Sequence, residues 1–340
     1  MLKLQPWRSR AGSWHSGARM NARALCLGLA GLLVLGAGPA FAQTIPAPAP
    51  EPVEGAASYE LADGFVTKKR RYYAPSQEIV LRGRVKPAVP GEVLTLYAIR
   101  GKKATKKVRR KVGSGGRFEF RFKVGNPGTV RLAVKHRASP AQERFRVRSR
   151  RITVVDWQAG GGERGLEVLL LQRALVSQGF ATPVTGYYDD ATARGVFVFR
   201  KTNGLGADGY ATKEVFAKLA RGEGAYDLRY PKAGKHVEFD WSRQVLVLAN
   251  GAKPYRTYHT SSGAPATPTV FGSYRFYLQT PGTNSKGMVH SSYFIGGYAI
   301  HGYPSVPNYP ASHGCLRVPI PNAASIFDWI DIGDPIFTYR

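Results

Sequence analysis

Two short stretches near the end of the chain, Ala299-Ile300-His301-Gly302 and Ser312-His313-Gly314-Cys315-Leu316-Arg317, carry the residues best suited to chemistry. They contain two histidines, two glycines and the only cysteine beyond the first 26 residues. A thiol becomes a strong nucleophile near neutral pH when a base takes its proton, and imidazole titrates in that range. Glycine beside a reactive residue lets the backbone approach a ligand closely. The pattern therefore predicts a thiol–imidazole site.

The amino terminus has the composition of an export signal. The first 42 of the 340 residues carry five basic side chains and no acidic one, with an apolar run from Ala24 to Gly38 and then Ala40-Phe41-Ala42. This order predicts a cleavable signal peptide over residues 1–42, and the run is shorter than the ~18 residues of a spanning helix. Cys26 would be removed with it, which leaves Cys315 without an intramolecular disulfide partner. We predict an exported protein of the cell envelope, periplasm or cell wall.

The next two segments are a linker and a β-rich region. Residues 43–57 are rich in Ala and Pro, which predicts an extended linker. Residues 58–157 contain short β runs separated by Gly- or Pro-bearing turns, and in Arg117 to Phe122 basic and apolar residues alternate with a period of two. About seven such runs in a hundred residues predict a β-sandwich of immunoglobulin-like type.

The β-rich region also holds most of the chain's net charge of +27. Between Tyr59 and Trp157 there are 26 Lys and Arg against 7 Asp and Glu, whereas from Gln158 onward the counts are 18 and 13. The surplus is typical either of a solvated sheet face or of a surface for a polyanion. For an exported protein we expect acidic wall polymers or anionic lipid as such partners, and no nucleic acid.

Residues 160–222 show helical periodicity. Apolar residues recur at helix spacing from Leu166 to Leu175, and two further amphipathic segments pass through Phe199 and Phe216. The turns between them read Gly186-Tyr187-Tyr188 and Asp208-Gly209. This order resembles the three-helix peptidoglycan-binding domain, with Arg200 where that family commonly has glutamine. The resemblance implies peptidoglycan glycan as a partner; a helical spacer without a ligand is the alternative.

Residues 234–340 return to β patterning and contain the opening stretches. Runs at Val237 to Asp240 and Gln244 to Leu248, with Asn250-Gly251 as a hairpin turn, predict a mainly-β domain. Tyr274 to Leu278 and Phe294 to Ile300 are each predicted to form one strand. A short helix is predicted from Asn322 to Ile330, opened by Pro321.

A histidine followed, fourteen residues later, by the cysteine of Ser-His-Gly-Cys resembles the catalytic domain of YkuD-type L,D-transpeptidases. Here the pattern is His301 and then Ser312 to Cys315, with a spacer at the short end. The resemblance implies a multidomain enzyme, a cysteine-dependent acyltransferase that acts on peptidoglycan stem peptides without a cofactor or metal. It implies a 3→3 crosslink made through a thioester of Cys315.

The residues and the resemblance assign the same roles. Cys315 is the expected nucleophile and His301 the base that moves its proton, in preference to the adjacent His313. Ser312 and His313 are expected to orient the site. Backbone N–H groups around Gly314 and Cys315 are the expected oxyanion donors.

Three further residues are expected to contact the substrate. These are Arg317, His290 and Tyr303. Arg317 would either bind a stem carboxylate or lie in a structural ion pair.

Three alternatives remain open from the sequence. Water in place of an acceptor amine would make the protein an L,D-carboxypeptidase. A wall-binding protein without catalysis is a second, although the complete motif argues against it. A zinc site built from His290, His301, His313 and Cys315 is a third, disfavoured because His-x-Cys is not a usual chelating step.

Overall fold

The computed structural model describes residues 50–68 and 70–340, which form one compact unit. The predicted signal peptide, Cys26 and most of the predicted linker lie outside the described residues. Within them, no helix combines the length and the apolar character needed to span a membrane. The predicted linker limit at residue 57 stays a prediction, and ordered structure is present before it. The first strand begins at Ala56, and Val53 already exchanges backbone hydrogen bonds with Ala141 and Glu143.

The first region consists of two sheets. A three-stranded sheet has the order β1-β4-β7, and a six-stranded sheet has the order β2-β3-β9-β8-β5-β6. All neighbours are antiparallel except β3 and β9. The strands are β1 Ala56–Leu61, β2 Phe65–Val66, β3 Arg71–Tyr73, β4 Glu78–Lys86, β5 Val93–Arg100, β6 Lys103–Lys111, β7 Arg117–Lys123, β8 Gly128–His136 and β9 Arg150–Val154.

Both sheets contribute side chains to one buried cluster, including Leu81 of β4, Phe120 of β7 and Leu132 of β8. The period-two prediction for β7 is confirmed, because its phenylalanines are buried while Arg117 and Arg121 are exposed. Pairing and alternation of this kind stabilise a sheet with one apolar face. The region is thus two sheets around one core, and the immunoglobulin-like type stays a prediction.

Three helices follow, α1 Leu166–Ser177, α2 Asp190–Thr202 and α3 Lys213–Ala220. The side chains of Asp189 and Thr212 accept hydrogen bonds from backbone N–H groups in the first turns of α2 and α3, which is the usual N-cap arrangement. The fully buried Gln172 of α1 is satisfied on both sides of its amide. It accepts from the N–H groups of Thr185 and Gly186 and donates to Thr192.

The last region holds two more sheets and one helix. The five-stranded sheet has the order β12-β11-β10-β18-β13, and the four-stranded sheet the order β14-β15-β16-β17. The elements are β10 Lys235–Asp240, β11 Val245–Asn250, β12 Lys253–His259, β13 Gly272–Arg275, β14 Leu278–Thr283, β15 Val289–Ile295, β16 Tyr298–Tyr303, β17 Leu316–Pro319, α4 Ile320–Phe327 and β18 Pro335–Tyr339.

Two strand predictions in this region are wrong. Tyr274 to Leu278 is divided between β13 and β14, which belong to different sheets. Phe294 to Ile300 is interrupted by a turn at Gly296, whose φ of 49° lies in the left-handed region. The turn makes β15 and β16 an antiparallel hairpin. Helix α4 begins at Ile320, two residues earlier than expected, and places Pro321 in its first turn.

Strand β11 joins the helices to the last region. Its residues are buried on both faces: Leu246 and Leu248 belong to the core of the last region, whereas Val245 and Val247 belong to the helical core. The backbone also crosses this junction: the N–H of Thr257 in β12 donates to the carbonyl of Gly179 at 2.7 Å. The helices are therefore fixed to the back of the sheet.

Because helices and β11 share one core, we expect them to unfold together. Leu171→Ala, at a fully buried position of α1, should lower the free energy of unfolding by about 2 to 5 kcal/mol. Leu166→Ala, in the same helix but 38% exposed, should change it by less than about 0.5 kcal/mol. Denaturant unfolding followed by circular dichroism and tryptophan fluorescence measures both. Two separated transitions for the helices and the sheet would contradict the shared core.

Candidate active site

Parallel strands β16 and β17 bring the predicted nucleophile and base together. His301 of β16 is level with Arg317 of β17. Cys315 lies just before β17, two residues before Arg317, and its sulfur is hydrogen-bonded by the backbone of Ala299. Side chains two apart along a strand face the same side of the sheet. His301 and Arg317, at paired positions of the parallel strands, are therefore presented on one face, and Cys315 adjoins the first residue of β17.

The ring of His301 is buried, with 4% of its surface exposed, and one nitrogen is engaged. Nδ1 lies 2.9 Å from the carbonyl oxygen of Gly302, an acceptor, so Nδ1 carries the proton and donates. Nε2 is then the unprotonated nitrogen of the neutral ring. Burial is the main cause that lowers the pKa of His301 below its ordinary value of 6.5; Arg317 adds to the lowering, and the Gly302 contact opposes it. The ring is thus a neutral base at neutral pH.

The thiol of Cys315 is partly accessible and donates to the carbonyl oxygen of Gly297 at 3.6 Å. Burial raises the pKa of this thiol above its ordinary value of 9.0, while the Ala299 N–H and the charges of Arg317 and Lys286 oppose the rise. The resting site therefore holds a neutral thiol beside a neutral imidazole. A thiolate has to form by proton transfer when the substrate is bound.

The loop before Cys315 is held by a compact hydrogen-bond network. The Ser312 hydroxyl donates to the carbonyl of Cys315 at 2.6 Å and accepts from the N–H of Gly314 at 3.1 Å. The Thr269 hydroxyl donates to the Gly314 carbonyl at 2.6 Å and accepts from Gly263. The Ser312 hydroxyl thus holds the loop that precedes Cys315, and its predicted role in the site stays a prediction.

The expected role of Gly314 as an oxyanion donor is not met in this structure, because its N–H is already bonded to Ser312. Glycine is required here for another reason. Its φ of 113° is disfavoured for other residues, and a Cβ would collide with the ring of Tyr298.

Tyr303 and Arg317 lie beside the base. The Tyr303 ring is 5.7 Å from the His301 ring in an edge-to-face arrangement, and the guanidinium of Arg317 lies 4.2 Å from the Tyr303 ring centroid. Arg317 forms no ion pair among residues 50–68 and 70–340. The prediction of a structural ion pair for Arg317 is therefore wrong for the described residues. The charge of Arg317 acts on His301 and Cys315 instead.

Two predicted residues are not brought into this arrangement. His290 of β15 packs against Phe327 of α4, with ring centroids 5.4 Å apart. Gly302 faces α4 as well, since a Cβ there would lie 2.7 Å from Ala323, so His301 alternates to the opposite side. A β-bulge in β15 displaces His290. His290 therefore does not line the site with His301. The zinc alternative needs both side chains in one site, and this placement argues against it. His313 is exposed to solvent.

Sequence reasoning missed Lys286 and Tyr298. Lys286 is exposed in the turn between β14 and β15, and its charge acts on Cys315. Tyr298 closes over Gly314 from the next strand. Tyr298 follows the turn at Gly296-Gly297, which the strand prediction for Phe294 to Ile300 passes over, so this glycine pair is the signal for Tyr298.

Comparison with known proteins agrees with this geometry. Residues 234–337 match the L,D-transpeptidase catalytic domain named YkuD, and residues 164–219 match the putative peptidoglycan binding domain. An L,D-transpeptidase from Xylanimonas cellulosilytica is 33% identical in sequence, with a TM-score of 0.50 over 54% of this chain and 98% of its own. The chain belongs to the L,D-transpeptidase family. Its catalytic domain and its helical domain both support peptidoglycan as the partner.

Two other solved L,D-transpeptidases are more distant. The enzyme from Stackebrandtia nassauensis is 18% identical, covering 54% of this chain and 95% of its own, with a TM-score of 0.33. The enzyme from Mycobacterium smegmatis is 14% identical, covering 85% and 100%, with a TM-score of 0.29. The comparison with curated proteins returned no match. The family ranges lie inside the predicted limits 160–222 and 234–340, which stay predictions.

The resting protonation state can be tested by alkylation. Because the pKa of Cys315 is raised and that of His301 is lowered, the rate of reaction with iodoacetamide should climb with pH through 9 without a plateau near neutrality. His301→Ala should leave this profile nearly unchanged. The measurement is the alkylated fraction by mass spectrometry between pH 5 and 10. A plateau near neutral pH that His301→Ala removes would show a resting thiolate–imidazolium pair instead.

Proposed function

We propose that this family member is an exported peptidoglycan transpeptidase that forms 3→3 crosslinks through a thioester of Cys315. The observation that carries the proposal is the parallel pairing of β16, which holds His301, with β17, which Cys315 immediately precedes. The hydrogen bond from His301 Nδ1 to Gly302 supports it, because it leaves Nε2 as the base. The helical domain, which packs against β11 of the five-stranded sheet, matches a putative peptidoglycan binding domain and accords with a polymeric substrate.

The proposed acylation moves one proton through His301. Nε2 takes the proton of the Cys315 thiol as Sγ attacks the carbonyl of the third stem residue. The carbon–nitrogen bond to the terminal D-alanine then breaks, the same proton passes to the leaving amine, and a thioester remains. The amine of a neighbouring stem attacks the thioester, gives a proton to His301 and releases the thiol. The neutral resting pair suits this cycle, since base and acid each begin in the required form.

Positive charge surrounds the reacting atoms. Arg317 and the exposed Lys286 both act on Cys315, and no acidic side chain is among the groups that shift its pKa. These charges would stabilise the thiolate and the tetrahedral oxyanion as they develop. With the Gly314 amide engaged by Ser312, the N–H of Cys315 itself remains the backbone donor that we propose for the oxyanion. Arg317 is the candidate partner for a stem carboxylate.

Two other functions use the same structure. Water in place of the acceptor amine would give an L,D-carboxypeptidase, which the partial accessibility of Cys315 permits. A wall-binding protein without turnover would need an impaired site, and the intact network of Ser312, Gly314 and Thr269 argues against that.

Location and retention are further parts of the proposal. The signal-like residues 1–42 would direct the chain to the envelope, periplasm or wall. There the first region would adhere to acidic wall polymers or anionic lipid through strand β6. This strand lies at the sheet edge and exposes basic residues along its length, at Lys103, Lys106, Lys107, Arg109, Arg110 and Lys111.

The product assay distinguishes the three functions. Residues 43–340 mixed with a disaccharide-tetrapeptide should yield a crosslinked dimer with loss of D-alanine, read by mass spectrometry. Cys315→Ala should abolish the product, because no other residue supplies the nucleophile. His301→Ala should reduce the rate far more than His313→Ala, since proton transfer by a placed base is worth about a hundredfold to ten-thousandfold.

Each contrary product has a definite meaning. Tripeptide alone would indicate the carboxypeptidase, and binding to insoluble wall without any product would indicate the inactive protein. Unchanged turnover in Cys315→Ala would end the nucleophile assignment. A larger loss in His313→Ala than in His301→Ala would reverse the assignment of the base.

The basic strand has a matched test. Arg109→Gln with Lys111→Gln removes two exposed charges from β6 and should weaken binding to vesicles containing anionic lipid at low ionic strength. Arg82→Gln with Arg121→Gln removes the same charge from positions already paired with Glu119 and Glu78, and should have little effect. Sedimentation of the protein with vesicles measures both. Equal weakening by the two variants would show that only total charge matters.

A further inference from the structure

A cavity of about 720 Å³ lies between helix α2 and the catalytic domain. The helical side contributes Arg194 and Phe197, and the catalytic side contributes Tyr303, Val306 and Ile320 among others. Ligand clefts of small molecules and short peptides have volumes of about 300 to 1,000 Å³. Neither domain alone encloses this space, so it exists only because β11 and β12 hold the helices in place.

The cavity reaches the catalytic centre through one side chain. Tyr303 lines the cavity and also makes the edge-to-face contact with the His301 ring. Its other neighbour is the guanidinium of Arg317. A ligand in the cavity would therefore be one aromatic ring away from the base.

Arg194 is the charged group of this cavity that has no partner. Its Nε is buried and has no hydrogen-bond acceptor among the described residues, and Arg194 forms no ion pair among them. Arg200, one turn and a half along the same helix, is by contrast bonded to Asp208 and to the carbonyls of Leu205 and Tyr210. A buried guanidinium nitrogen without an acceptor, such as Nε of the half-buried Arg194, is costly unless a ligand supplies one.

The other polar groups of the cavity are already engaged. His259 is neutral, because burial and the charge of Lys201 lower its pKa to about 4, and its Nε2 donates to the Val306 carbonyl. Lys201 donates to His259 and to Asn308. No Asp or Glu is among the residues that line the cavity. The field inside is therefore positive, with Arg194 on the lining and Lys201 behind His259 as its sources.

Arg194 also borders a second cavity. A second cavity of about 410 Å³ shares Arg194 and Pro321 with the first. It contains Asp189, whose carboxylate is occupied in capping α2 through Thr192. Arg194 thus borders both cavities.

We propose that this interdomain cavity binds a carboxylate-bearing peptide stem of the wall polymer, with Arg194 pairing to the carboxylate. The claim rests on the proposed function for the identity of the polymer. The apolar walls suit aliphatic peptide side chains, and the unpartnered guanidinium suits an anion, which neutral sugar rings do not provide. The helical domain would then position stems for the catalytic domain rather than only adhere to the wall.

Binding to a protein that cannot turn over tests this directly. The parent is Cys315→Ala, residues 43–340, and the probes are a stem tetrapeptide with free carboxylates and the same peptide fully amidated. Isothermal titration should show that Arg194→Gln raises the Kd of the free acid about tenfold or more. The amidated peptide should bind the parent and Arg194→Gln equally weakly. Arg173→Gln, at an exposed position of α1, should match the parent.

Arg194→Lys keeps the charge but not the paired donors, so its Kd should lie between those of the parent and Arg194→Gln. Arg194→Lys also serves as the test if Arg194→Gln does not fold. The quantity compared is then the ratio of the Kd of the amidated peptide to the Kd of the free acid. A smaller ratio in Arg194→Lys than in the parent supports the proposal, and an unchanged ratio overturns it. A Kd for the free acid within twofold of the parent in Arg194→Gln overturns it too. So does an equal loss for the amidated peptide, or for a disaccharide without peptide.

Turnover is measured separately with Cys315 intact. Crosslinking without any dependence of Kd on Arg194 overturns the cavity assignment alone. Arg194-dependent binding without turnover overturns the transpeptidase proposal alone.

Discussion

Strand β11 is the constraint on which the rest of the described structure depends. Alternate residues of β11 enter two different cores. The helices pack against one face of this strand, and the core of the catalytic domain lies on the other face. A strand covered on both faces has its side chains buried on both sides of the sheet, whereas a strand with one solvated face does not. The hydrogen bond between Gly179 and Thr257 then fixes the register of the helices on the sheet. The three-helix domain is therefore a structural part of the catalytic unit.

The active site depends on a second constraint, close backbone packing around Gly314. A residue with a side chain would collide with Tyr298 and be strained at a φ of 113°. The same loop is tied by the hydroxyls of Ser312 and Thr269, which consume polar groups that would otherwise be unsatisfied. The cost is that the Gly314 amide is not available to a substrate. In the mechanism that we propose, reactivity then rests on proton transfer from Cys315 to a buried, neutral His301.

Local patterns in the sequence predicted much of the fold correctly. The alternation in β7 and the three helices follow from residues close in sequence, where period and capping act directly. The errors at Tyr274 to Leu278 and Phe294 to Ile300 occurred where apolar residues run on through a turn. There the division between strands is set by which sheet completes its hydrogen bonds, and that partner is remote in the chain. His290 failed for the same reason, since a bulge decides which side it faces.

The sequence by itself determined the chemistry: a thiol, an imidazole fourteen residues before it, and a glycine-bearing loop are properties of residue type and spacing. It also determined the helical and β character of the domains, because periodicity is local. Only the tertiary structure decided which groups are free to act. It engages the Gly314 amide and His259, places Arg317 and Lys286 by the thiol, and leaves Arg194 without a partner between two domains. Burial and hydrogen-bond occupancy depend on contacts between distant segments, and spacing along the chain does not encode them.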